Sequence, residues 1–170
     1  MMAQDSSKDL EGLLVVTVEQ AVAAPYTSCR LADAGARVIK IERPEGDFAR
    51  NYDSNALGNS AYFVWLNRGK ESVCLDLKDT KDIMLFKNII SKADILIQNL
   101  APGAFERLGL DLKKLRTEYP RLITCSISGF GVINVAHGTS VDAETIEQAL
   151  AAHQPKWALM AHYETGSGRI

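Results

Sequence analysis

Cysteine is scarce in this chain. The three present, Cys29, Cys74 and Cys125, lie far apart and form no Cys-x-x-Cys pair. That spacing offers neither a disulfide framework nor a zinc-ribbon ligand set. Cys74 and Cys125 fall in apolar, strand-like runs and are expected as buried, reduced thiols, which suits a reducing compartment. Long hydrophobic runs are missing too, and none approaches the ~20 residues of a membrane helix. The opening MMAQDSSKDLEG has neither the apolar core of a signal peptide nor the arginines of a mitochondrial presequence, so a cytoplasmic location is expected. Positive charge is not in excess either. A net charge of −2 argues against nucleic acid or an anionic membrane as partner and requires any basic site to be local.

Several chemical signatures are also absent. The only Gly-x-Gly is Gly129-Phe-Gly131, which lacks the third glycine of the dinucleotide fingerprint, and EQAVAAP after the first strand-like run has no glycine to cradle a pyrophosphate. Nicotinamide dinucleotides are therefore not expected. His137, His153 and His162 show no ligand spacing, so no metal site is expected. Ser126 and Ser128 lack a Gly-x-Ser-x-Gly elbow, and no nucleophile declares itself. Internal repeats and low-complexity segments are lacking.

What is present is an ordinary globular composition, 46% hydrophobic and 24% charged over 170 residues, enough for one domain or one and a half. Strand-like and helix-like runs alternate. Residues 12–18 (GLLVVTV) read as a buried strand, followed by a helix starting at Pro25 and stopping at Gly35. Residues 37–41 (RVIKI) form the second strand, and 44–60, rich in Pro, Gly, Asn and Ser, an irregular excursion. AYFVWL at 61–66 is too short to assign by period, and 72–77 is the third strand. Asp79 caps a helix to about Lys92, 94–98 (DILIQ) is the fourth strand, and 102–108 is a short helix opened by Pro102. Asp111 caps a helix ended by Pro120, and 122–127 (LITCSI) is the fifth strand. Beyond Gly131, a helix capped by Asp142 and a sixth strand at 156–161 are expected. Such alternation with short connections specifies an α/β fold with a parallel sheet.

Ligands of open α/β sheets bind at the carboxyl ends of the strands. Arg43, Arg50, Arg68, Lys70, Lys78 and Arg107 all fall at or near strand ends or turns, and 99–103 (NLAPG) links the fourth strand to a helix start. Arginine forks match phosphate oxygens and lysine adds a point charge, so this is a candidate polyanion site. The alternative is a set of solvated surface charges, and composition alone leaves both open. Glu42 and Asp47 could equally pair with neighbouring arginines.

Taken in order, VEQAVAAPYTSCRLADAGARVIKIERPEGD, YFVWLNRGKESVCLDLK, ADILIQNLAPGAFERLGLDLKKL and YPRLITCSISGFG resemble the amino-terminal part of the family III CoA-transferases over residues 10–131. The family includes formyl-CoA transferase, carnitine CoA-transferase and α-methylacyl-CoA racemase, and the first two segments look most like its dicarboxylate branch. The resemblance implies a Rossmann-like sheet, and an interlocked homodimer in full-length members that this chain need not form. It implies CoA as a substrate rather than a resident cofactor, with contacts at Val22, Ala23, Arg43, Leu75, Lys78, Asn99 and Arg107. The partners implied are an acyl-CoA and a small carboxylic acid, a dicarboxylic one by the resemblance to that branch. The family's reaction passes CoA between acids through an aspartate that forms a mixed anhydride and then an enzyme-bound thioester.

The chain departs from that pattern after Gly131. The nucleophilic aspartate of the family lies several tens of residues beyond, whereas this chain reads VINVAHGTSVDAETIEQALAAHQPKWALMAHYETGSGRI, so no catalytic residue is carried over. Gln98 stands where glutamate is usual and Ala101 where arginine is common. Residues 132–170 resemble a fragment of the class V aminotransferases, without the downstream aspartate and lysine that pyridoxal phosphate needs, so that cofactor is not expected. The organisation expected is a polar lead at 1–10, a CoA-transferase-like domain at 11–131, truncated relative to the family, and a tail of different origin at 132–170. Three readings follow: a CoA-transferase that is inactive as this chain alone, a non-catalytic CoA-binding or dimerisation module, or an aberrant fusion product.

Overall fold

The computed structural model describes residues 8–128. In chain order they form β1 (Leu14–Val18), α1 (Ala23–Asp33), β2 (Arg37–Glu42), a 3-10 turn (Phe48–Asn51), α2 (Ala61–Asn67) and β3 (Lys70–Cys74). There follow α3 (Thr80–Ile90), β4 (Ile95–Gln98), α4 (Ala104–Arg107), α5 (Leu112–Glu118) and β5 (Ile123–Ser126). The five strands pair in the order β3-β2-β1-β4-β5, all parallel. The expected α/β, Rossmann-like sheet is what this chain folds into. The helix and strand expected beyond Gly131 lie outside the described residues.

Parallel sheets are covered on both faces, which is why β1 reads as an apolar run broken only by Thr17. One face sends Val16, Val18, Ile39, Ile41 and Leu96 onto Phe86 and Ile90 of α3, Phe105 of α4 and Leu115 of α5. Phe86 and Phe105 meet edge to face, 6.3 Å apart, and both are fully buried, each burial worth roughly 2–3 kcal/mol. The other face sends Val15, Val38 and Ile97 onto Ala24 of α1. Towards the strand ends this second face turns polar: Thr17, Lys40 and Glu42 are buried there.

Caps set the helix starts. The Asp79 carboxylate accepts from the N–H groups of Lys81 and Asp82, and Asp111 from those of Lys113 and Lys114. AYFVWL is a helix, begun by Ser60, whose hydroxyl accepts from the Phe63 N–H. Three boundaries differ from expectation. α1 begins two residues before Pro25, because the missing proline N–H is tolerated anywhere in the first turn. β3 covers Lys70–Cys74 rather than 72–77, since its ladder to β2 ends at Glu42↔Cys74; Leu75 and Leu77 then leave the sheet for the core. α4 begins after Gly103, whose left-handed φ of +74° interrupts helical backbone, so Pro102 lies outside it. The cysteine expectation also fails in part. Cys74 is exposed on the edge strand β3 and Cys125 half-buried on the edge strand β5, whereas Cys29 is buried in α1. Edge strands lack the second neighbour that would cover them.

Candidate functional site

The carboxyl ends of β1, β2 and β3 open into a pocket of about 390 Å³. Its walls come from the segments after those strands, 18–20, 41–47 and 75–78, with Leu100 and Leu108 closing the side. The floor is apolar, from Val18, Ile41, Leu75, Leu77, Leu100 and Leu108, and the rim carries Arg43 and Lys78 beside Glu45 and Asp76. Three of the residues nominated from sequence, Arg43, Leu75 and Lys78, therefore meet in one cavity.

Their states differ. Leu75 is buried, its N–H donating to the Glu42 carbonyl at 2.9 Å. Arg43 is exposed: its Nε donates to the Gly46 carbonyl at 3.0 Å, and the Glu45 carboxylate stands 4.0 Å away, at the limit of ion pairing. Lys78 is exposed, and no ion pair among the described residues engages it. Val22 and Ala23 form the start of α1, where a helix leaves its first N–H groups without helical partners. Asn99 follows β4 and faces the same loop: its Oδ1 accepts from the Gln20 N–H and its Nδ2 donates to the Gln20 carbonyl, both at 2.9 Å. Asn99 thus works as a strand-like partner for the β1–α1 loop. Arg107 is exposed on α4, with its Nη1 folded back 3.0 Å from where a Cβ on Gly103 would sit. Val22, Ala23, Asn99 and Arg107 do not line the pocket, though Gln20, Leu100 and Leu108 beside them do.

The other nominated cations are committed elsewhere. Arg50 grips Glu42 through two nitrogens, 2.9 and 2.8 Å, with its guanidinium 3.9 Å from the centre of the Phe63 ring. Arg68 pairs with Asp33 at 2.6 Å. The Lys70 side chain is buried, bonded to Glu19 at 2.7 Å and to the Pro25 carbonyl at 2.9 Å. Burial pushes its ammonium pKa down, against the attraction of Glu19.

Sequence reasoning missed the buried polar layer under the pocket. Lys40, 1% exposed, donates to Asp47 at 2.7 Å and to Asn67 at 2.8 Å. Asp47 therefore pairs with a lysine rather than an arginine, while Glu42 does take the neighbouring Arg50. Burial opposes ionisation of Glu42. Hydrogen bonds from Arg50, Ser72 and the Asp47 N–H, with the charge of Lys40, outweigh it and hold the carboxyl at about 2. The signal was legible in RVIKIE: Lys40 shares its sheet face with Val38, a face that α1 covers. Among the described residues no three His, Cys, Asp or Glu side chains converge as metal ligands, and no helix is long and apolar enough to cross a membrane.

The sequence matches the model of CoA-transferase family III over residues 10–153. The chain belongs to that family. Among curated relatives of CoA-transferase family III, it is 43% identical over 143 residues to an acetyl-CoA:oxalate CoA-transferase of Acetobacter aceti, covering 83% of this chain and 36% of the relative. It is 33% identical over 142 residues to a succinyl-CoA:glutarate CoA-transferase of Mus musculus, covering 82% of this chain and 33% of the relative. The chain thus spans about a third of the length of the curated relatives it matches. Among solved structures, a Mycobacterium tuberculosis protein described as hypothetical aligns with TM-score 0.70 and 32% identity over 89% of this chain and 42% of its own. A CAIB/BAIF family protein from Brucella suis aligns with TM-score 0.69 and 36% identity, over 76% and 35% respectively.

Proposed function

We propose that this unit binds coenzyme A or an acyl-CoA at the ends of β1, β2 and β3, and serves a transferase that moves CoA between small carboxylic acids. The observation that carries the reading is the pocket itself: an apolar floor of a size for a nucleobase, rimmed by two exposed cations, Arg43 and Lys78, suited to phosphate. Val22, Ala23, Asn99 and Arg107, beside its walls, belong to the same proposed contact set. The relatives' names supply the acids. Oxalate, glutarate and, in Haloarcula hispanica, mesaconate are all dicarboxylic, and an acceptor of that class is proposed here. A cytoplasmic location and CoA as substrate, without metal or pyridoxal phosphate, complete the reading.

One observation favours a second reading, a CoA-binding module without its own nucleophile. Of the carboxylates that line the pocket, the buried ones, Glu19, Glu42 and Asp47, are each held by a cation and are not free to attack a thioester, while Glu45 and Asp76 stand on the rim. In the first reading the aspartyl acyl intermediate forms on a carboxylate outside the described unit. Two measurements separate them. A CoA-dependent rise in melting temperature that Arg43→Ala reduces supports binding, and its absence from wild type at millimolar CoA removes both readings. Incubation with succinyl-CoA followed by hydroxylamine traps an activated acyl-enzyme if transfer chemistry is present; CoA binding without trapping selects the module.

A further inference from the structure

Beneath the pocket runs a chain of charges, buried except at Arg50, whose side chain is 46% exposed. Three cations, Lys40, Lys70 and Arg50, meet three carboxylates, Glu19, Glu42 and Asp47, with Asn67 accepting from both lysines at 2.8 and 3.3 Å. Such layers rarely add stability over a well-packed apolar core, because taking ions out of water costs as much as pairing them returns. Their usefulness lies in fixing one geometry.

Asp47 is where that geometry meets the pocket. Its side chain is fully buried, yet the residue forms part of the pocket wall. One oxygen, Oδ2, takes the Lys40 ammonium at 2.7 Å. The other, Oδ1, accepts from the Ala49 N–H at 2.9 Å and from the Ala21 N–H at 3.2 Å. Ala21 has a φ of +64°, in the left-handed region that a residue with a Cβ avoids. Its backbone holds that turn between Asn99, which grips Gln20 on one side, and Asp47 on the other. Ala21 is also the last residue before Val22, which caps α1.

We infer that Asp47 is a positioning residue, whose Oδ1 oxygen, oriented by the Lys40 ammonium, holds the strained Ala21 turn and so joins the β1–α1 loop to the β2 loop as one rigid wall of the pocket. The inference rests on the proposed role of that pocket in binding CoA, and deepens it. The oxygen acceptor performs the task; the negative charge serves to neutralise Lys40. An amide should therefore replace the carboxylate once the ammonium is gone.

Four proteins test this: wild type, Asp47→Ala, Asp47→Asn, and the pair Lys40→Met with Asp47→Asn. Each is assayed for CoA affinity by calorimetry, melting temperature, and hydrogen exchange at the Ala21 amide. Asp47→Ala should lose about tenfold in CoA affinity and exchange Ala21 faster, as expected when a buried donor loses its acceptor. The pair should recover affinity to within about threefold of wild type and restore slow exchange, while Asp47→Asn alone, with its amide N–H facing the ammonium, should not. A merely structural role would lower the melting temperature and leave affinity and Ala21 exchange unchanged, and that outcome overturns the inference. Should Asp47→Ala fail to fold, the contrast between Asp47→Asn and the pair decides alone. If wild type binds no CoA, the binding proposal fails separately, and Ala21 exchange still decides the positioning role.

Discussion

Arg43 and Arg50 carry the same charge seven residues apart and have opposite tasks. Arg50 is bound on both sides, by Glu42 and by the Phe63 ring, and holds the loop that shapes the pocket. Arg43 has only a backbone carbonyl and a distant Glu45, leaving it available to an anion. Arg50→Ala is therefore expected to lower the melting temperature and raise the pKa of Glu42, whereas Arg43→Ala should leave folding intact. Glu42 also sets an acid limit. Its carboxyl titrates at about 2 in the folded protein against an ordinary 4.5, so between those values the unfolded chain binds the extra proton. The stability that Glu42 contributes is complete above pH 4.5 and disappears as the pH falls towards 2. Denaturant midpoints measured across that window should fall with pH in wild type and fall less in Glu42→Gln; parallel curves would contradict the pairing.

At the scale of elements, two devices set the site: capped helices and one strained loop. Asp79 starts α3, whose Phe86 and Ile90 anchor the larger core, and Asp79→Ala should cost about 1 kcal/mol in urea unfolding. Ala21 holds a backbone conformation costing roughly 1 kcal/mol, so Ala21→Gly should be neutral or stabilising, and Ala21→Val clearly destabilising. Asp79 and Asp111 were legible as caps because a cap is a local event within three residues. The alternation of strands and helices was legible because burial on both faces makes the central strands, β1, β2 and β4, largely apolar. The end of β3 was not, since the ladder stops where β2 stops, a tertiary fact, and Leu75 and Leu77 look alike in or out of a sheet. The Lys40–Asp47 pair escaped for the same reason: local patterning shows a charge in a strand but not which carboxylate returns to meet it. Of the nominated cations, sequence could place Arg43, Arg50 and Lys70 at strand ends, yet only packing separates an available charge from a committed one.

The whole molecule presents a further surface. Five half-exposed rings, Tyr26, Trp65, Tyr62, Tyr52 and Phe48, follow one another at centroid separations of 5.9, 6.1, 6.1 and 5.8 Å, across α1, α2 and the 3-10 turn. Apolar surface of that continuity promotes association. Light scattering over a concentration series should show self-association that Trp65→Ser weakens; a monomer at every concentration would contradict it. The central claim is the proposed CoA site in the pocket at the strand ends. Its most direct test is a calorimetric titration of CoA into wild type and Arg43→Ala. The account predicts saturable one-site binding to wild type, weakened by about tenfold or more in the variant, the size of one lost charge-assisted contact. Equal affinities in the two proteins, or no heat from wild type at millimolar CoA, would contradict it.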